Sequence, residues 1–445
     1  MAPEDFQYLD KYTNNPDSTQ EPNRIIVVGV GGGGNNAVNH MFHQHVEHVT
    51  FVAVNTDKQA LDSSSVPNKL LIGPTTTRGR GAGNDPQRAQ AAAEESASDI
   101  ASLFNDDLDM VFVTAGMGGG TGTGAGPIVA RIAKERGLLT IGIVTIPFMF
   151  EGMRKINKAL AGAEQMSKYV DAIMIVNNER LIEIYPDFEF ERAFESADDI
   201  LSTAASSIAE IITKKGYINL DFNDVNTTLK DGGTAIIAVG YGEGEHRVTK
   251  AIQDALHSPL LKNTDVLSSK RILFNLYYSR TANTKFKTAE AIELNEFINR
   301  VEEEVDVIWG ITYDESLGDK VKFTILASGF DVTIGEKAGT FTPTTKADDT
   351  PGAIDKNIIS SVYGADKVEQ IEREKETQNY IILTFNDLDD DAAIENFAKT
   401  PTFARDKRLK PVATPPAAAP AAAAPAADDA LTGPNVISFS SDDFN

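Results

Sequence analysis

The chain has 445 residues, 65 acidic against 41 basic, and a formal net charge of -24; so negative a balance argues against a nucleic-acid protein, whose affinity rests on Lys and Arg neutralising phosphates. Apolar residues make up 41% and charged residues 24%, ordinary globular usage, so the length suggests roughly two to three domains. The absence of cysteine excludes disulfide scaffolds, thiolate metal sites and thiol nucleophiles, and no apolar run approaches the ~20 residues that span a bilayer.

Residues 1–23 are polar and acidic, without the basic n-region or apolar h-region of a signal peptide. They read as a flexible arm, and the cytoplasm is the expected location. From Arg24 to about Phe330, apolar runs of strand length alternate with helical patterns: RIIVVGV, Val49 to Val54, MVFVTAG, TIGIVTIPF and AIMIVN. Strands alternating with helices predict a largely parallel sheet covered on both faces. The first strand leads into Gly29-Val30-Gly31-Gly32-Gly33-Gly34-Asn35-Asn36 and then a helical pattern. Glycines there let the backbone approach an anion closely, and the N–H groups of a helix start favour phosphate. The run also fits the dinucleotide fingerprint through Gly29, Gly31 and Gly34, with Asp57 near the offset of a ribose carboxylate. A tight strand-to-helix turn with no ligand gives the same pattern.

A second cluster, Ala115 to Pro127, follows the strand MVFV and holds seven glycines and two threonines in thirteen residues. One glycine turn is enough for the pyrophosphate of a nicotinamide cofactor, so an NAD-dependent Rossmann dehydrogenase leaves this run unexplained. No Lys-Ser or Lys-Thr follows at the spacing of a P-loop. Its core, GGGTGTG, resembles the signature of the tubulin and FtsZ superfamily, and the resemblance runs from about Arg24 to Phe330.

The resemblance implies an α/β fold with a Rossmann-like parallel-sheet GTPase domain, a long central helix, a smaller α/β C-terminal domain and disordered tails. It implies that Gly120, Thr121 and Gly122, with Gly32, Gly33, Gly34, Asn35 and Asn36, contact the phosphates of GTP. Ala82 and Gly83 of GRGAGNDP would lie nearest the γ-phosphate, and Glu151 of PFMFEG would bind the ribose. The family's arginine four residues beyond that glutamate is replaced, with Lys155 at four and Arg154 at three. Either Lys155 takes the role as a point charge or Arg154 reaches in. Base recognition falls by resemblance to Asn178, Phe194 and Asp199, with the Phe194 ring stacking on guanine and the Asp199 carboxylate accepting from its two donors. Without the resemblance, Phe194 on an apolar stripe reads as core and Asp199 as a helix-dipole residue.

The segment from Glu191 to Lys215 spaces Phe194, Ala197, Leu201, Ala204, Ile208, Ile211 and Ile212 helically and lacks Gly and Pro, which predicts one long amphipathic helix. Directly after it, Gly216 to Val225 matches the family pattern N-x-D-F-x-D-V without a gap, which by resemblance makes Asn219, Asp221 and Asp224 catalytic. Two carboxylates three residues apart share a helix face, and the same string is also an Asx-rich helix cap. Asp199 and Asp221 are 22 positions apart, on the order of 30 Å if helical, so they cannot serve one nucleotide in one chain. If both matter, Asp221 and Asp224 act on the GTP of a neighbouring subunit, and such a heterologous contact propagates as a head-to-tail filament. Their task would be to orient and polarise water, since phosphoryl transfer depends on positioning and charge neutralisation. Anions beside a triphosphate need screening, so Mg2+ is expected, bound by phosphates and waters with few protein ligands. His40, His43, His45 and His48 lack metal-site spacing and read as a solvated surface.

TAIIAVG, RILFNLYY, VDVIWGITYD and VKFTILASG predict a second α/β unit, with helices near Thr249 to Leu256 and Ala289 to Glu304. The stretch Phe274 to Ala291 departs from the family pattern and carries no inferred role. The expected division is an arm at 1–23, the GTP-binding domain at 24–190, the central helix at 191–215, the catalytic loop at 216–225 and the C-terminal domain at 226–332. A linker at 333–395, a partner-docking peptide at 396–410, a Pro/Ala spacer at 411–430 and a terminal peptide at 431–445 follow. Pro401-Thr402-Phe403-x-Arg405 resembles the peptide by which the family docks an actin-like membrane tether, and reads equally as an apolar island in a disordered tail. Membrane attachment would run through that tether, since anionic lipid repels an acidic filament. The expected function is GTP-dependent polymerisation into the cytokinetic ring at midcell; the rivals are a tubulin-like filament for DNA positioning and the dehydrogenase.

Overall fold

The structure, a computed structural model, describes residues 24–44, 46, 48–184, 190–258, 266, 269–301, 304–330, 359, 363, 364, 367 and 368. The expected arm, docking peptide, Pro/Ala spacer and terminal peptide lie outside the described residues, as does most of the expected linker.

Six strands, β1 (Ile25–Val30), β2 (Val49–Asn55), β3 (Asn68–Leu71), β4 (Met110–Gly116), β5 (Leu139–Ile146) and β6 (Ala172–Asn177), lie in the order β3-β2-β1-β4-β5-β6. Every neighbouring pair is parallel. All six residues of β1 are buried, as a strand covered on both faces requires. The period of two sorts them: Ile26, Val28 and Val30 enter one apolar layer, Ile25 and Val27 the other. The first layer is closed by α4 (Pro86–Glu95), α5 (Ala97–Ser102), α6 (Thr121–Glu135) and α7 (Met153–Ser167). The second is closed by α1 (Gly31–His43), α2 (Lys58–Asp62), α9 (Phe190–Thr213) and α10 (Phe222–Leu229). Short helices α3 (Pro74–Thr77) and α8 (Asn178–Ile184) complete this half. The winding direction reverses between β1 and β4, and a doubly wound sheet opens its ligand crevice there, outside the carboxyl ends of the strands.

The second half comprises β7 (Gly216–Ile218), β8 (Gly233–Gly242), α11 (Arg247–Leu256), β9 (Arg271–Tyr278), α12 (Thr288–Ile298), β10 (Asp306–Tyr313) and β11 (Val321–Phe330). It continues the sheet in the order β8-β11-β9-β10-β7. The β6–β8 junction is only two residue pairs, Ala172 with Gly233 and Ile173 with Thr234. β11 is antiparallel to both β8 and β9, whereas β9 and β10 are parallel. The sheet of this half is therefore mixed, which apolar run lengths alone do not reveal. Phe274, in the divergent stretch, packs in the core of this half with Phe297 and Phe323.

Helix α9 covers Phe190–Thr213 rather than Glu191 to Lys215, and it joins the two halves. Leu201, Ala204, Ile208 and Ile211 share one buried layer with Val27 and Phe112 of the first half and Leu273 and Leu326 of the second. Near its end Glu210 pairs with Lys322 of β11, itself only 6% exposed. Lys214 bridges Glu210 at 3.6 Å and Asp314 at 2.8 Å. The Lys322 ammonium also stands 4.2 Å from the centroid of the Tyr277 ring.

The two ends of this arrangement face opposite edges of the sheet. The glycine-rich turns leave the carboxyl ends of β1 and β4. The chain leaving α10 rejoins the sheet at its other edge, where the Gly233 N–H donates to the carbonyl of Asp171, just before β6, at 3.1 Å. Parallel strands of this length separate the edges by roughly 20 Å. Asp199 is ten residues into α9, so only fourteen further residues of helix, about 21 Å, lie between it and Thr213. That part of the expected separation is shorter than the 22-position estimate, because a strand and a turn occupy the remainder.

Removing Glu210 strands an ammonium with little access to water. Glu210→Ala is expected to lower unfolding stability by about 2–3 kcal/mol, with part recovered in the Glu210→Ala/Lys322→Met double variant, read by urea denaturation.

Candidate functional site

β1 and β4 end side by side, Val30 in register with Ala115. α1 starts at Gly31 directly after β1, and α6 starts at Thr121, five residues beyond the last strand residue, Gly116. Neither helix start carries a side-chain cap, the arrangement in which first-turn N–H groups can meet an anion. Neighbouring helices are capped in the ordinary way. Asp57 Oδ1 accepts from the N–H of Gln59 at 2.9 Å and Ala60 at 3.3 Å; Asp85 Oδ1 accepts from Gln87 at 2.9 Å and Arg88 at 3.4 Å. Asp57 thus caps α2 through one oxygen.

The glycines of the two turns fall into two groups. A Cβ on Gly34 would stand 2.4 Å from the Thr114 carbonyl oxygen, and one on Gly122 would stand 2.4 Å from that of Gly116. Those glycines are required by backbone packed on backbone. Gly32 and Gly119 differ: a Cβ there meets nothing within 4 Å, and neither has a left-handed φ. The space beside them is open to a ligand.

Two more loops close on this point. The Thr56 and Thr121 hydroxyls are 2.7 Å apart, joining the turn after β2 to the second glycine run. The Gly81 N–H donates to the Thr56 carbonyl at 3.1 Å. Ala82 is buried, and its Cβ lies 2.9 Å from where a Gly120 Cβ would be, while Gly83 is exposed with φ 63°. Lys158 of α7 donates to the Asn84 carbonyl at 2.8 Å.

At the other end of the crevice, Glu151 Oε1 accepts from the Phe148 N–H at 2.9 Å and Oε2 pairs with Lys155. The Lys155 Cγ lies 2.7 Å from the Cβ position of Gly118, so this lysine packs over the second glycine run, whereas Arg154 is exposed. Asn178 is buried, and its Oδ1 has no hydrogen-bond partner among the described residues. Such an atom costs stability unless a ligand or water satisfies it. Phe194 lies on α9, with its side chain outside the described residues.

Asp199 is engaged on both oxygens, by His40 Nε2 at 2.7 Å and Arg192 Nη2 at 3.4 Å. His40 was expected on a solvated surface, yet it faces this carboxylate from α1; one helix's spacing does not reveal what the helix packed against it presents. Burial pushes the neighbouring Asp198 carboxyl up to about 7, with Asp199 and Glu195 adding to the shift and His40 opposing it.

The residues expected to be catalytic are bonded to one another and to the start of α10. Asn219 Oδ1 accepts from the Gly216 N–H at 2.6 Å. Asp221 caps α10, its Oδ1 accepting from Asn223 at 2.7 Å and Asp224 at 3.2 Å, and Asp224 Oδ2 accepts from the Asp221 N–H at 2.8 Å. This reciprocal box uses one oxygen of each carboxylate. Among the described residues no group of three or more His, Asp or Glu could hold a metal ion, and no helix is long and apolar enough to cross a membrane.

Residues 24–186 match the family model described as Tubulin/FtsZ family, GTPase domain, and residues 233–331 match FtsZ family, C-terminal domain. The cell division protein FtsZ of Porphyromonas gingivalis is 48% identical over 392 residues, 86% of this chain and 85% of that protein. Cell division protein FtsZ 1 of Thermococcus kodakarensis is 42% identical over 307 residues, 69% of this chain and 80% of that one. A solved dimer of FtsZ from M. jannaschii superposes with a TM-score of 0.63 at 37% identity, covering 74% of this chain and 93% of that one.

The two kinds of glycine separate in experiment. Gly34→Ala is expected to lower stability by on the order of 2–3 kcal/mol. Gly32→Ala should unfold within about 1 kcal/mol of the parent while weakening GTP binding in calorimetric titration. Asp198 titrates above its unfolded value of 3.8, so the folded state binds the extra proton and stability falls as pH rises from about 4 to about 7, then levels. Asp198→Asn should flatten that slope and raise stability at pH 8 relative to pH 5, seen in thermal unfolding across pH.

Proposed function

This chain belongs to the tubulin/FtsZ family and is a GTPase, and we propose that it is a cell-division protein that polymerises head to tail and hydrolyses each GTP at the contact between two subunits. The observation that carries this reading is the separation of its parts. The crevice lies at the carboxyl ends of β1 and β4, whereas α10, which the Asp221–Asp224 box starts, runs into the amino end of β8 beside that of β6, a strand length of roughly 20 Å away along the sheet.

In this reading the starts of α1 and α6 hold the phosphates through Gly32 to Asn36 and Gly120 to Gly122, with Ala82 and Gly83 beside the γ-phosphate. Lys155 steadies Glu151 against the ribose. Asn178 offers guanine its unpartnered oxygen, and Asp199 accepts from the ring's donors, oriented by His40. Asn219, Asp221 and Asp224 of the next subunit orient the attacking water with the oxygens their cap leaves over. Mg2+ fits a donor set poor in carboxylates only as a partner of the phosphates themselves, and when bound it neutralises their charge.

Self-association agrees with the dimer in which the M. jannaschii protein was solved. A contact joining opposite faces of one chain does not close on itself and extends as a filament. We place the filament in the cytoplasm at the division ring, with Phe403 as the anchor for an actin-like membrane tether, and the finer boundaries of the tail regions as given above.

GTP turnover per subunit should rise steeply with protein concentration and vanish on dilution; turnover independent of concentration would overturn the shared site. Asp221→Asn keeps an N-cap, since Asn caps as well as Asp. It should fold and bind GTP with parent affinity while hydrolysing on the order of 10²-fold more slowly, and mixing it with the parent should slow the parent.

A further inference from the structure

Past the C-terminal domain the chain returns to the GTPase domain. Ile359, Tyr363 and Val368 fall in the stretch expected to be a linker, yet they are 3%, 3% and 5% exposed and belong to the apolar layer that α6 and α7 close. Two polar contacts accompany them. The Tyr363 hydroxyl donates to the carbonyl of Pro147 at 2.7 Å, and Lys367 Nζ donates to Glu179 Oε1 at 3.0 Å.

One acceptor is the backbone carbonyl four residues before Glu151, the other the side-chain carboxylate of the residue after Asn178. Pro147 is buried one residue past the end of β5. Its carbonyl has left the strand ladder and needs a donor from elsewhere, which Tyr363 supplies. Burial, with Glu179 and Glu151 nearby, raises the Tyr363 phenol well above its usual value, so it remains a donor. Glu179 uses its other oxygen, Oε2, to accept from the Met149 N–H at 2.9 Å. One carboxylate therefore ties the Phe148–Glu151 turn, the start of α8 next to Asn178, and Lys367. The P. gingivalis alignment covers 86% of the chain, a span that necessarily includes residues 359–368, although both family models end before them.

We infer that Tyr363 and Lys367 are positioning residues for the nucleotide: the returning segment is a strap that fixes the turn bearing Glu151, so recognition of the ribose depends on residues outside both family domains. This rests on the reading of Glu151 as the ribose ligand.

The test uses the full chain, in parent, Tyr363→Phe/Lys367→Met and Glu151→Gln forms. The strap variant keeps the buried ring and removes only the two polar contacts. Calorimetric titration compares GTP with 2′,3′-dideoxy-GTP, and hydrogen exchange follows the peptide around 148–152. The parent is expected to prefer GTP about ten-fold, Glu151→Gln to lose that preference, and the strap variant to fall to about two-fold, with dideoxy binding unchanged and only a small fall in melting temperature from the acceptors left unpaired. Exchange of the turn should quicken several-fold in the strap variant alone. Unchanged exchange overturns the inference, as does quickened exchange with the full preference for GTP retained. If the parent shows no ribose preference but exchange still quickens, the role of Glu151 falls and the strap stands as the support of the turn.

Discussion

The structure depends on how closely two strand-to-helix turns approach one another. β1 and β4 are adjacent and in register, and both run into helices whose starts lack side-chain caps. Bringing them together leaves no room for a Cβ at Gly34 or Gly122, where backbone oxygens already stand 2.4 Å from the position it would take. The contact is made by main chain, so the anion-binding geometry does not depend on a lysine. That suits a chain of net charge -24: the positive ends of helices supply locally what the surface as a whole lacks.

The sheet also acts as a spacer. The crevice opens at the carboxyl ends of its strands and the chain leaving α10 re-enters at the amino end of β8, while α9 packs against both halves through one apolar layer and is pinned near its end by Glu210, Lys214, Lys322 and Asp314. The β6–β8 junction of two residue pairs is too slight to fix the halves by hydrogen bonding. Their relation is held by side chains around α9. A buried ion pair in that position contributes more to geometry than to net stability.

Much of this was legible in the chain itself. Apolar runs of strand length, alternating with helical spacing, predicted the parallel half, because a strand buried on both faces has no polar residues to hide it. The two glycine runs marked where the turns after β1 and β4 pack main chain on main chain, because that approach leaves no room for a Cβ at Gly34 or Gly122. The spacing of Asp199 and Asp221 predicted one helix between them, of which α9 supplies the part to Thr213 and β7 with its turns the rest. What escaped was whatever depends on a partner distant in sequence. His40 is an unremarkable helix residue until α9 brings Asp199 to 2.7 Å. That Lys155 packs over Gly118 while Arg154 is exposed depends likewise on where α7 meets the second glycine run. Tyr363 stands four residues after Ile359 in a short apolar island of a stretch otherwise read as linker, and what it packs against, the layer that α6 and α7 close and the carbonyl past the end of β5, is distant in sequence. The mixed pairing of the second half was hidden for the same reason, since strand direction is a property of neighbours.

The box that closes the start of α10 has a kinetic meaning. Asp221 and Asp224 hold each other's backbone within a single chain, so their carboxylates are already oriented in an isolated subunit and association need not spend entropy ordering them. On the proposed reading each molecule carries a finished but idle half of a reaction centre. The waiting time before hydrolysis then reports encounter between molecules rather than a rearrangement within one, and the nucleotide serves as a clock that starts when a neighbour docks.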